Sequence, residues 1–341
     1  MKFAVPAIEC RVMRKLMIAL LFAAAATSSA ATYKVIRHIP IGGAGGWDYV
    51  AVDAAARRVY QSHSDRVAVV DIDKGTVAGT ILNTQGVHGV ALAPDLNRGF
   101  VSDGRADSVT VFDMKTLATV AEWKTTGANP DAILYEPGTK RLFTFNGRGK
   151  NATVFDAKTG TVIATIDLGG KPEFSVTDGT RVFVNIEDTS EIAIIDPKKA
   201  VVEKRAPLAP CVEPSGLALD RKHRRLFSVC SNETMVVTDA DSLKVVGSAP
   251  IGKGVDGVAF DSDRAFSSNG ADGTMTVVHE IAPDKFEVEE TVPTARGART
   301  IAADPKSHHL FLATAQFGPP VEGQRRPPVV EGTFELLEVG R

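Results

Sequence analysis

Aromatic residues are scarce in this chain: they make up 6% of 341 residues, with 2 tryptophans and 4 tyrosines. A core built here must rest on Val, Ile, Leu, Ala and Phe, and stacked platforms for single-stranded nucleic acid are in short supply. An excess of basic charge is also lacking. The whole chain carries 39 Lys and Arg against 41 Asp and Glu. Without residues 1–30, Lys2, Arg11, Arg14, Lys15 and Glu9 are lost and the balance is 35 to 40, a mildly acidic body. That balance argues against phosphate-driven nucleic-acid binding. After residue 30 there is no apolar run of about 18 residues, the length a membrane-spanning helix needs, so no transmembrane span is expected. Cysteine is nearly absent, with 3 in all.

What is present begins with a leader. Arg14-Lys15, the apolar stretch Leu16 to Ala26 and the small residues Ser28 and Ala30 read as a secretory signal cleaved after Ala30. Residues 1–30 are therefore assigned as signal peptide, with Met13 a plausible true start, and residues 31–341 as the mature domain. Export to the periplasm or beyond is expected. Cys10 leaves with the leader, and Cys211 and Cys230 remain as an even pair in an oxidising compartment. A disulfide is the leading reading, with a thiolate metal site or redox pair as the alternative.

Self-similarity decides the fold. A turn followed by a short apolar strand recurs, beginning at Asp48, His88, Asp131, Glu173, Ser215, Asp256 and Arg299, with spacings of 40, 43, 42, 42, 41 and 43. In each copy a second strand opens near an aromatic, as at Tyr60, Phe100, Phe143 and Phe227. The third strand ends in Asp at Asp71, Asp113, Asp156, Asp196 and Asp239, which suits an Asx-type hairpin turn. A fourth strand completes the unit. Four short strands every 42 residues or so are a propeller blade. The last copy holds only three strands, the third over Thr333 to Val339, and the missing one is expected at Tyr33 to Ile41. The expectation is an all-β, seven-bladed β-propeller of four-stranded blades, closed by the N-terminal strand joining the C-terminal blade.

Strand ends such as Val109-Thr110-Val111-Phe112-Asp113 and blade openings such as Asn129-Pro130-Asp131 carry a resemblance. From Tyr33 to Arg341 the chain resembles the YncE-like branch of the YVTN-repeat β-propellers, exported bacterial proteins grouped with the haem d1 propeller superfamily. It departs from the WD40 pattern, because no Trp-Asp pair closes a third strand. It departs from quinoprotein blades, because only Trp47 and Trp123 occur. The resemblance implies the blade type; the family's functions range from DNA binding to redox association.

The residues opening each first strand should form an inner ring at the channel mouth: Asp48, His88, Asp131, Glu173, Ser215, Asp256 and Arg299. The residues ending each second strand should form another ring, His63, Asp103, Asn146, Asn185, Cys230, Asn269 and Thr314. Candidate ligand contacts are Trp47, Asp48, His88, Asp131, Asn146, Arg148, Glu173, Asn185, Asp256, Asn269 and Arg299. Asp131, Glu173 and Asp256 are the candidate metal ligands, for a divalent ion held by converging carboxylates. Arg299 can instead neutralise them by pairing with Asp48 or Asp256. Trp47 reads as either a stacking platform or a plug between blades. The insertion Phe317 to Gly332 should rise from the same face. The expected function is binding of a small molecule, metal complex or peptide at the channel face by a monomeric, non-catalytic propeller. A metal-dependent hydrolase of the lactonase kind is the alternative, and single-stranded DNA binding is suggested by the resemblance alone.

Overall fold

The computed structural model describes residues 1–4, 32–323 and 327–341. The leader expected over 13–30 lies outside them, as does Cys10. The chain divides into two units, Met1–Ala31 and Thr32–Arg341, and the second holds the strands. It consists of seven antiparallel four-stranded sheets. Six are continuous in sequence, covering 47–82, 87–124, 130–167, 172–207, 214–250 and 255–293. The seventh blade combines strands 301–304, 309–314 and 335–340 with the N-terminal strand Lys34–Pro40, which pairs onto Glu335–Gly340. The chain is a seven-bladed β-propeller, and the closing strand falls within one residue at each end of the expected Tyr33 to Ile41. No helix among the described residues is long and apolar enough to cross a membrane.

Burial differs among the strands of a blade. Second and third strands such as Val182–Ile186 are buried throughout, whereas fourth strands such as Thr76–Leu82 are mostly exposed. Each fourth strand is thus the outer edge of a blade, and the alternation along it separates a solvent side from a packed side. The apolar residues sort into seven clusters, one at each blade–blade interface. One joins Val59, Val70 and Ile72 of the first blade to Phe311, Phe334 and Leu336 of the last. That cluster closes the ring with side chains as the N-terminal strand closes it with hydrogen bonds.

The Asp that ends the third strand in five blades caps its turn as its position predicts. Asp156 Oδ1, for example, accepts the backbone N–H groups of Lys158 and Thr159 at 2.9 and 2.8 Å. Cys211 and Cys230 form a disulfide, with Cα atoms 5.4 Å apart. Both residues are buried where the turn entering the fifth blade meets the end of its second strand. The 19-residue separation gives a loop-closure stabilisation of about 3 kcal/mol. Replacing both cysteines by serine should lower the unfolding free energy in urea by about that amount. An unchanged denaturation midpoint would show that the bond staples nothing.

Candidate functional site

The channel mouth is built by a device repeated in six blades. Each innermost strand carries a register shift after its first residue: Trp47 faces His63 and the next paired residue, Val50, faces Gln61. The same irregularity separates Val87 from Val90, Pro130 from Ile133, Pro172 from Ser175, Pro214 from Leu217 and Val255 from Gly257. A bulge re-aims the side chains beside it and leaves backbone groups off the ladder. Buried hydroxyls and amides satisfy those groups. Ser62 Oγ accepts from Asp48 N and donates to Tyr49 O. Ser102 serves Gly89 N and Asp131 O in the same way. Asn185 Nδ2 donates to the carbonyls of Ser215 and Gly216.

The inner-ring side chains aimed by these bulges meet. His88 Nδ1 lies 2.6 Å from Asp48 Oδ2 and 3.6 Å from Asp131 Oδ1. Arg299 pairs with Asp256, lies 3.4 Å from Asp48 and donates to the Trp47 carbonyl at 2.6 Å. Both pairings foreseen for Arg299 are therefore made at once. Glu173 takes the Lys171 ammonium at 2.7 Å, and Lys171 also pairs with Glu187. Ser215 is half-buried with its hydroxyl directed to Val229 O at 3.5 Å. Among the described residues, four inner-ring carboxylates thus meet three basic groups, His88, Lys171 and Arg299.

The electrostatics follow from that count. Burial works against a charged His88, but the hydrogen bond to Asp48 and the charge of Asp131 outweigh it and push its pKa up to about 9. Burial raises Asp131, with the Asp48 and Asp256 charges adding to it against His88. Glu173 is raised by burial and by Asp131, against the pull of Lys171. The less compensated side of the ring is therefore Asp131–Glu173, where a proton or another cation is favoured.

Two participants escaped sequence reasoning. Tyr49, on the first blade, reaches across the channel to Glu173 of the fourth, with its hydroxyl 3.4 Å from Oε2 and its ring edge-on to Phe174 at 5.0 Å. The aligned position is Gly89, Ala132, Gly216 and Gly257 in four other blades, so a large side chain there was a signal. Together Tyr49 and Phe174 border a channel cavity of about 390 Å³ lined also by Val90, Ile133 and Leu219. Lys171 precedes the ring position by two residues and gave no repeat signal.

The second-strand ends lie elsewhere. Asn146, Asn185 and Asn269 are fully buried, with the amides of Asn146 and Asn269 spent inside their own blades and that of Asn185 on the first strand of the next. Trp47 is largely a plug: its ring packs on Phe317 and Phe334, and Nε1 donates to Gly297 O at 3.2 Å. Arg148 is exposed, while its neighbour Lys150 is held by Asp188 at 2.6 Å. Of the three candidate metal ligands, Glu173 is engaged by Lys171 and Asp256 by Arg299. At the channel mouth the trio whose ligand atoms lie within 4.8 Å of one another is instead Asp48, His88 and Asp131.

Asp103 stands where the third and sixth blades have asparagine. Asn269 Nδ2 donates to Thr274 and Thr276 hydroxyls. Asp103 can only accept there, from Thr110 at 2.7 Å, and its Oδ1 and the Ser108 hydroxyl are buried without partners. Burial lifts its pKa to about 7, partly offset by the Thr110 bond. A carboxyl raised in the folded state contributes stability at low pH that is lost as pH rises through about 7. Asp103→Asn should therefore stabilise the fold by about 2 kcal/mol at pH 8 and less at pH 5. Equal or lower stability at pH 8 would sink this reading.

No protein-family model matches the chain, and no curated protein matches it in sequence. Its structure is similar to the WD40 repeats of RRP9, with a TM-score of 0.74, 8% identity, and coverage of 90% of this chain and 98% of that one. It is also similar to a chain of Kuenenia stuttgartiensis hydrazine synthase, with a TM-score of 0.68, 15% identity, and coverage of 79% and 92%. A chain of the mitotic checkpoint complex gives a TM-score of 0.70 at 14% identity, covering 89% and 96%. At such identities the likeness is one of fold: the chain shares the β-propeller architecture with these proteins.

Proposed function

We propose that this is an exported binding propeller whose channel mouth takes a cationic ligand, either a metal ion or the charged end of a small molecule or peptide. The observation that carries this reading is the convergence of four carboxylates from four blades on one channel mouth, with three internal cations beside them. The surplus lies between Asp131 and Glu173, so the ligand competes there with protons. The disulfide suits an exported protein. The Asp48–His88–Asp131 trio supports a metal ion in particular, once His88 gives up its proton. A hydrolase of the lactonase kind would use channel amides beside the carboxylates, and Asn146 and Asn269 are occupied inside their blades.

Calorimetric titration with Ca²⁺, Mn²⁺, Zn²⁺ and arginine methyl ester tests the proposal. At least one cation should bind with an affinity that rises from pH 6 to pH 8, as protons leave the ring. Asp131→Asn should weaken that binding about tenfold or more while leaving the fold intact. Absence of saturable binding by any of the four would refute the reading.

A further inference from the structure

A second recess opens on the same face, beside the ring and sharing Arg299 with it. It has a volume of about 1020 Å³ and lies between the turns of the sixth and seventh blades and the insertion after Phe317. This is the size of a pocket for a small organic molecule. Its outer wall exists in one blade only. The turns joining second to third strands elsewhere are short, such as Ser64-Asp65, whereas the seventh blade runs from Ala315 to Phe334 between its strands. The two legs of this excursion are tied by a bridge between Phe317 and Val329 and by Gly318 N donating to Pro328 O at 2.8 Å. Phe317 is further fixed against Trp47. The wall at these residues is thus built, and it presents Phe317, Pro320 and Val329 to the recess.

The opposite side is made of small residues, Gly254, Gly270, Ala271 and Ala295. Gly270 and Gly297 have no room for a side chain: a Cβ would fall 2.7 Å from Arg299 and 2.8 Å from Phe317, respectively. A flat floor facing an apolar wall suits a flat or slender apolar body. Two guanidiniums line the recess, Arg296 and Arg299, beside one carboxylate, Glu335, which pairs with His38 at 3.1 Å. Arg299, Lys171 and Lys150 are each held by a carboxylate. Arg296, exposed at the recess, has no carboxylate partner among the described residues.

We infer that this recess binds a small amphipathic carboxylate, its apolar body between Phe317 and the glycine–alanine floor and its carboxylate on the Arg296 guanidinium. A guanidinium presents two parallel donors that match a carboxylate and are wasted on a neutral amide. The site shares Arg299 with the ring, but none of Asp131, His88 or Glu173 lines it, so the two readings are tested at different residues.

The full chain with Trp123→Phe leaves Trp47 as its one tryptophan, packed against Phe317 and so a reporter for the recess. Phenylacetate and octanoate are titrated against it by fluorescence and calorimetry, with phenylacetamide and octanamide as neutral counterparts. The carboxylates should saturate the signal, and the amides should bind about tenfold more weakly or worse. Arg296→Gln should erase the difference between acid and amide, and Arg296→Lys should restore part of it. Equal binding of acid and amide, carboxylate binding unchanged by Arg296→Gln, or no saturable binding of either acid would each overturn the inference. Arg296 is exposed, so its variants test the site without risking the fold.

Discussion

A chain beginning at Gly45 should not form a stable ring. The strand it lacks pairs from Lys34↔Gly340 to Pro40↔Glu335, and without it the blade ends at an open edge. Tyr33 and Ile39 are buried in the seventh-blade interfaces, and the Arg341 guanidinium lies 4.3 Å from the Tyr33 ring. The two side chains alone are worth about 3–6 kcal/mol of apolar burial. Arg37 adds a hydrogen bond to Glu338 at 2.6 Å. The expected outcome is a melting temperature lower by more than about 10 °C, or an aggregating product, against a control beginning at Thr32. Equal melting temperatures would mean that the last blade does not need its fourth strand.

Arg299→Met should cost about 3–5 kcal/mol, because it takes the guanidinium from partly buried Asp256 and from the Trp47 carbonyl and leaves Asp48 to His88 alone. The loss comes from the charges left behind, so it should be recoverable without the arginine. Arg299→Met combined with Asp256→Asn should regain part of it, which urea denaturation of the single and double variants measures directly. Additive losses in the double variant would show that Asp256 and Arg299 act independently, contrary to their pairing.

Much of the architecture was legible because a blade is a local object. Each Asp that ends a third strand announces its own turn, and each spacing of about 42 residues returns the chain to the axis. Asp48, His88 and Asp131 open consecutive blades and so must be neighbours, yet the metal ligands expected from the sequence were Asp131, Glu173 and Asp256. That trio skips the fifth blade, and the structure gives Glu173 and Asp256 other partners. Contacts across the channel were not legible. No spacing says that Tyr49 crosses to Glu173, because that contact depends on the channel width and on the small residues at the same level. The second-strand ends misled for a different reason. A position next to a turn looks exposed, yet side-chain direction there is set by pairing with the third strand, as in Asn146↔Asn151. That pairing turns the amide inward, among hydroxyls of its own blade.

The charge cluster at the mouth makes one demand that can be read at a single atom pair. His88 is held between Asp48 and Asp131 with its pKa raised from 6.5 to about 9. The stability it contributes is therefore fully present below about 6.5 and is lost as pH rises through about 9, a window in which the raised Asp131 and Glu173 act in the same direction. The direct measurement is an NMR titration of the His88 ring nitrogens, assigned with His88→Gln and repeated in Asp48→Asn. A midpoint near 9 that falls markedly when Asp48 is neutralised is the expected result. A midpoint at or below 6.5, unmoved by Asp48→Asn, would contradict the ring of mutually neutralised charges on which the functional reading stands.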